Sequence, residues 1–295
     1  MPEADKTLVS TPGRHVKVAA TVIVIAIGAA YVAFAALYLA TRATPAPDAV
    51  LQAAIPSGGV SVVFVPQRVD PERENLQGVL RISVDRAVLS SDVTVRVFPF
   101  LDASQIVIAA AETVYEQDAT LSVEGEVRGY PFDSYTGTVE VSAAETPSGA
   151  ALPVGGGVLP IDGLTGWNTY VSEDVGAAPN VLADSVTVER SLTTRVTVVI
   201  LAALVLALGV LAIALAWSVA DGRKEANFGE ATWLAATIFS VISVRTFMPG
   251  SPPIGAYLDA LFIIPAILAL FLSMTLLVVF WLARRTADDP AEEGP

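Results

Sequence analysis

Residues 185–220 read SVTVERSLTTRVTVVILAALVLALGVLAIALAWSVA, and this stretch decides the architecture. Its first six residues, Ser185 to Arg190, alternate polar and apolar side chains, the two-residue period of a strand with one buried face. From Val196 to Ala220 there follow 25 residues without a charge, mostly Val, Leu, Ala and Ile. At about 1.5 Å per residue a helix of that length exceeds the roughly 30 Å hydrocarbon core of a bilayer. The chain therefore passes from a β domain into a membrane span, and Glu189 to Arg195 reads as the membrane-proximal linker between them.

Three further segments are read as spans. Val18–Ala40 is an uncharged run of 23 residues. It is longer than the roughly 7–15 apolar residues of a secretory signal, and reads as a retained anchor. Ala231–Met248 is shorter and carries Arg245, while Ala256–Ala283 holds Asp259 near its start and Pro265 in its first half. The connection Pro249–Tyr257 is short enough for a hairpin, so the two form a pair of spans. Arg14 and Lys17 precede the first span, Arg223 and Lys224 lie between the second and third, and Arg284 and Arg285 follow the fourth. All three pairs fall on one side of a four-span chain, and loops rich in Lys and Arg stay cytoplasmic. Trp217, Trp233 and Trp281 gather at that same interface, as aromatic belts do. Arg42 and Arg195 run against the rule and are outnumbered.

The expected organisation is a multi-pass plasma-membrane protein in contact with the lipid bilayer, both termini cytoplasmic. A cytoplasmic segment (1–17) precedes transmembrane helix 1 (18–40) and an extracytoplasmic β domain (41–195). Helix 2 (196–220), a cytoplasmic loop (221–230), helix 3 (231–248), an outer Pro/Gly loop (249–255) and helix 4 (256–283) follow. The acidic tail (284–295) and the first dozen residues have too little apolar surface to bury and are expected to be disordered.

Composition agrees. Of 295 residues, 53% are hydrophobic and 16% charged, and the mean hydropathy is +0.60. The net charge of −13 belongs to the middle: residues 43–194 carry 20 acidic and 7 basic side chains. Such a surface repels phosphate, so no nucleic-acid partner is expected. There is no cysteine, one histidine (His15) and three lysines (Lys6, Lys17, Lys224). Disulfides, thiolate chemistry and cysteine metal sites are thus excluded, and a serine nucleophile in the β domain would lack a His or Lys base. No catalytic residue, cofactor or metal site is assigned.

Within 41–195 the alternation recurs in Val60–Val65, Gly78–Val84, Val93–Phe98, Thr120–Val127 and Thr136–Val141, besides Ser185–Arg190. Turn residues separate these runs, including Ser57-Gly58-Gly59, Asp70-Pro71, Pro147-Ser148-Gly149 and Gly155-Gly156-Gly157. Ile106–Tyr115 alone allows a helical reading. The fold class is α+β: an antiparallel β-sandwich inserted between helix 1 and a three-helix C-terminal bundle, with Pro45–Pro47 as its entry linker.

Two motifs stand out. Tyr130-Pro131-Phe132-Asp133-Ser134-Tyr135 joins two strands, and serves either as a structured connection or as a docking loop at the membrane surface. Pro249-Gly250-Ser251-Pro252-Pro253-Ile254-Gly255 is a stiff outer loop bracketed by Arg245 and Asp259, which can pair as a clamp; the alternative, an ion or proton pathway, usually places such groups deeper in the span. Both loops lie on one side of the membrane, so Tyr130–Tyr135 is expected to pack near Arg245–Asp259. The coupling set is Tyr130, Pro131, Phe132, Asp133, Tyr135, Arg245, Pro249, Gly250, Pro252, Pro253, Gly255 and Asp259. Asp70, Glu72 and Glu74 invite a calcium reading, but Arg68 and Arg73 sit among them and EF-hand spacing is missing, so they read as a solvated turn. Ala29 and Ala33, and Ala212, Ala216 and Ala220, allow close helix packing.

YPFDSY, together with RTFMPGSPPIGAYLD over residues 245–259, resembles a family of uncharacterised membrane proteins common in actinobacteria and mycobacteria and known as a domain of unknown function. The alanine- and arginine-rich, lysine-poor composition fits a high-GC organism. The resemblance implies no reaction, ligand or cofactor. A fainter likeness is to pentameric ligand-gated channels, where an aromatic-Pro-Phe-Asp loop of an outer β-sandwich faces the membrane. This chain departs from that pattern: a span precedes the sandwich, only three follow it, and the cysteines that bracket the loop in many members are missing. The function expected is a non-enzymatic binding or assembly module in the cell envelope, with an envelope protein or a homo-oligomer as partner. A channel or transporter subunit is the alternative.

Overall fold

Alternating side chains sort themselves into two facing sheets. The computed structural model describes residue 36 and residues 55–102, 104–159, 166–173, 180–250 and 252–288. Segment 1–17, the expected first span Val18–Ala40 apart from Ala36, the entry linker Pro45–Pro47 and the tail beyond Asp288 lie outside the described residues. Among those described, the strands are β1 (Val60–Asp70), β2 (Asn75–Val84), β3 (Asp92–Phe98), β4 (Gln105–Ile108), β5 (Val114–Ser122), β6 (Glu124–Gly125), β7 (Ser134–Thr146), β8 (Ala151–Leu152), β9 (Val154–Val158), β10 (Trp167–Glu173) and β11 (Val181–Arg190). Helices α1 (Leu192–Ala220), α2 (Phe228–Thr246) and α3 (Ile264–Asp288) follow, α3 being entered through a π turn over Asp259–Ile263.

One sheet runs β5-β2-β1-β9 and the other β10-β11-β7-β3-β4, with β6 and β8 also pairing with β7. In β7, Tyr135, Val139, Val141 and Ala143 are buried while Thr136, Thr138 and Glu140 face out, the one-sided burial of a two-layer domain. Between the layers, Phe64, Leu76, Leu80, Ile82, Val95, Leu121, Val186 and Val188 form one apolar cluster. Each such side chain contributes about 1.5–3 kcal/mol when fully removed from water.

Several expectations are corrected here. The segment Ile106–Tyr115 is not helical: it ends β4 and begins β5, and the inward Ile106 and Ile108 follow the two-residue period. Nor is the sandwich wholly antiparallel, because β9 pairs with β1 in parallel from Val60↔Val154 to Phe64↔Val158. The glycines expected to form a turn are the middle of β9. At Gly156 φ is +106°, and a Cβ there would collide with the Val62 carbonyl, so only glycine allows so close an approach. Asp184, on the inner face of β11, fastens β9 to the second sheet by accepting the Val158 N–H at 2.9 Å.

Glu189–Arg195 is no linker. Strand β11 ends at Arg190, Ser191 caps the next helix by accepting the Thr194 N–H at 3.3 Å, and α1 begins at Leu192. The Ser191 N–H and the Thr194 hydroxyl both donate to the Gly166 carbonyl at the root of β10, at 2.9 and 3.3 Å. Strand and helix thus join without a flexible residue between them.

Helix α3 packs against both α1 and α2, which touch each other little. The face of α1 turned inward carries Val198, Ala202, Val205, Gly209, Ala212 and Ala216, spaced alternately by three and four. Ala220 is exposed. The other faces of α1 are exposed yet apolar, including Val199, Leu204, Val210 and Leu211. Helices Leu192–Ala220 and Asp259–Arg285 are long and apolar enough to cross a membrane. The tail expected to be disordered from residue 284 stays helical to Asp288.

Candidate functional site

The inward register of β11, Val186 and Val188, continues to Arg190, so the alternation itself drives a guanidinium into the domain base. Val188 lies opposite Tyr135 and Glu189 opposite Ser134 on β7. One step further, Arg190 meets Asp133. Its Nε donates to both carboxylate oxygens at 3.1 and 3.2 Å, and each side chain is at most 2% exposed. A buried charge is tolerated only when paired and hydrogen-bonded. Here the pairing is reinforced by aromatic faces: the Arg190 guanidinium carbon lies 3.8 Å from the Trp167 ring centroid and 5.0 Å from that of Tyr130. Among the described residues Arg190 Nη2 has no hydrogen-bond partner, which the ring faces partly offset. Tyr135 completes the group, donating its hydroxyl to Asp133 Oδ2 at 3.1 Å and stacking edge-on against Trp167 at 5.8 Å.

From this cluster the domain reaches the helices. Tyr130, 2% exposed, belongs to the apolar cluster of the helix bundle with Val198, Met248 and Leu258. Its hydroxyl donates to the Pro249 carbonyl at 2.5 Å. Gly250 takes φ +78°, and a Cβ on it would run into the Arg190 guanidinium. The Tyr257 hydroxyl donates to Glu126 at 2.9 Å. The Pro/Gly loop is itself clamped: Arg245 donates to Asp259 at 3.2 and 3.0 Å and to the Pro253 carbonyl at 3.2 Å, and Asp259 accepts the Gly255 N–H at 3.0 Å.

Of the residues singled out by sequence, Tyr130, Asp133, Pro249 and Gly250 meet at this joint, and Arg245 and Asp259 brace its loop. Pro131 and Pro252 are buried nearby, Pro253 is half-buried and Gly255 exposed. Phe132 is exposed, and Tyr135 serves the sandwich side. Sequence reading missed Arg190, Trp167 and Glu126. The signal for Arg190 was present: a cation in the buried register of an alternating strand requires an acid opposite. The acidic turn Asp70–Glu74 lies apart, with Asp70 accepting the Arg73 N–H at 3.3 Å.

Burial raises the Tyr130 hydroxyl to about 12, with Arg190 opposing and Asp133 adding to the shift. Tyr135 is raised by burial and by its bond to Asp133. A folded-state value above the unfolded one near 10 means stability is fully present below pH 10 and lost as pH rises through the folded value. The melting temperature should fall between pH 10 and 12, and fall less in Tyr130→Phe; thermal unfolding across that range checks it.

Two families match the chain. One described as Domain of unknown function (DUF4436) matches residues 50–190, and one described as Domain of unknown function (DUF8686) matches residues 190–284. The boundary between them falls on Arg190. No curated protein matches the chain.

Proposed function

We propose that this chain is a non-enzymatic, multi-pass membrane protein that holds an acidic β-sandwich on the outer face of the plasma membrane as a rigid binding or assembly platform. The observation that carries the reading is the joint: a domain that merely hung from the membrane would need no buried Arg190–Asp133 pair, no Tyr130 set into the helix bundle and no strand running directly into a helix. Two apolar helices support the membrane placement. The absence of cysteine and the single histidine at position 15 support a role without chemistry. With −13 as its net charge, the platform favours a partner presenting basic groups, an envelope protein before a second copy of itself.

In this arrangement α2 and α3 form a spanning hairpin, and its far end, together with the end of α1 and the connection after it, carries Trp217, Trp233, Trp281 and the basic residues Arg223, Lys224, Arg284 and Arg285 on the cytoplasmic side. Arg285 stacks on Trp281 at 4.3 Å, and Trp281 meets Phe228 at 5.6 Å. Cysteine scanning tests the topology, since the chain has none of its own. A membrane-impermeant maleimide applied to intact cells should label Ser148→Cys and leave Ala220→Cys unlabelled until the cells are opened. The reverse pattern, or equal labelling of both in intact cells, would refute the placement.

A further inference from the structure

The side chains at the rim of the joint are as informative as those inside it. Phe132 is 64% exposed, Phe247 84% and Ile254 94%, with Leu192 and Leu261 also exposed. They come from separate segments: the turn before β7, the end of α2, the Pro/Gly loop, the first residue of α1 and the π turn. The bond from Tyr130 to Pro249 and the contact of Arg190 with Gly250 bring the β7 turn against the Pro/Gly loop, so Phe132 and Ile254 are exposed on two segments that meet. Directly below, the exposed surface continues apolar through Val199 and Leu204 of α1 and Ile264 and Leu268 of α3. A polar element lies on the same connection, whose backbone is tied by the Phe132 N–H to the Gly129 carbonyl at 2.8 Å. Arg128, in the 3-10 turn Val127–Gly129, is exposed and has no hydrogen bond or ion pair among the described residues, four positions before Phe132.

We infer that the base of the sandwich is seated in the outer lipid leaflet, with Phe132 inserted among the acyl chains beside Ile254 and Phe247, and Arg128 set against headgroup phosphates. The inference rests on the membrane reading above and extends it from the helices to the β domain. Large apolar side chains next to an unpaired cation are the chemistry of a membrane interface, where aromatics sit at headgroup depth and arginine reaches phosphate. Charge points the same way. An acidic sandwich is repelled by headgroup phosphates, so it approaches through its apolar base, where the acids Asp133, Asp259 and Glu126 are engaged by Arg190, Arg245 and Tyr257 while Arg128 has no acid partner among the described residues. The occupant is lipid because the rim is continuous with the apolar helical surface. The consequence is an orientation held from two sides, by the buried joint and by the leaflet.

The test uses full-length protein in phospholipid nanodiscs containing lipids with a nitroxide either just below the headgroup, to reach the interface, or near the acyl-chain end, to reach the bilayer centre where Val210 lies. Single variants Phe132→Cys, Val210→Cys and Ser148→Cys each carry an environment-sensitive fluorophore. Phe132 and Val210 are exposed, as is Ser148, so labelling leaves the cores intact. Quenching and a blue shift are expected at 132, with quenching also at 210 and none at 148. If 210 is quenched while 132 behaves like 148, the seated base is overturned and the spanning helices stand. If 210 is also unquenched, the membrane reading fails and the inference with it. Shielding of 132 by a partner protein or a second copy would appear as a blue shift without quenching, and would likewise overturn a lipid contact.

Discussion

Replacing Asp133 with alanine should cost about 3–5 kcal/mol of folding stability, because it leaves the Arg190 charge buried without its carboxylate. The guanidinium is wedged between Trp167, Tyr130 and Gly250, and is 2% exposed, so water does not replace the lost carboxylate. Asp133→Asn keeps an acceptor for Nε and should lose less. The double variant Asp133→Leu, Arg190→Met should recover much of the loss, since a buried ion pair replaced by packed apolar groups is often neutral in stability. Thermal unfolding in detergent, followed for the four proteins together, checks the ordering. An Asp133→Ala protein as stable as the parent would mean that the pair holds nothing together.

The second large effect is expected at Gly250. Valine there must adopt φ near +78° and place its Cβ against the Arg190 guanidinium. A left-handed conformation costs a residue with a Cβ about 1–2 kcal/mol. Overpacking a filled site adds about 1–3 kcal/mol, so a total near 3 kcal/mol is expected. Gly255 is the internal control. It also has positive φ, at +90°, but among the described residues nothing lies within 4 Å of a Cβ built on it. Gly255→Val should therefore show the backbone cost alone. Equal destabilisation of the two variants, measured by chemical denaturation, would remove the argument that Gly250 is required by Arg190.

The parts of this fold that follow a period were readable from sequence, and the parts that depend on a partner across space were not. Alternation located most of the longer strands, including β2, β3, β7 and β11, because one face of each meets the core. Strand β9 escaped because Gly155, Gly156 and Gly157 carry no side chain to show a period. Its pairing with β1 rests on backbone approach and on Asp184, 26 residues away. Strand β10 escaped for a related reason. Trp167-Asn168-Thr169-Tyr170 has no aliphatic alternation, and Trp167 is held by Tyr135 and Arg190, which lie elsewhere in sequence. Helix lengths came from uncharged runs, but the start of α1 was set four residues late, since Leu192, Thr193 and Thr194 look like linker until Ser191 is seen to cap them. At the joint, the two loops were visible through their proline and aromatic content. The arginine between them was hidden at the end of a strand, where only the register of β11 against β7 shows which acid it meets.

The central claim is that sandwich and helices move as one body, and a distance distribution tests it most directly. Spin labels at Ser148→Cys, on the turn after β7, and Ala220→Cys, at the last residue of α1, report from opposite ends of the structure, both on exposed positions. Pulsed electron resonance on the protein in nanodiscs should give one narrow peak, broadened by Asp133→Ala. A broad or multi-peaked distribution in the parent protein, unchanged by Asp133→Ala, would show a tethered domain and contradict the account.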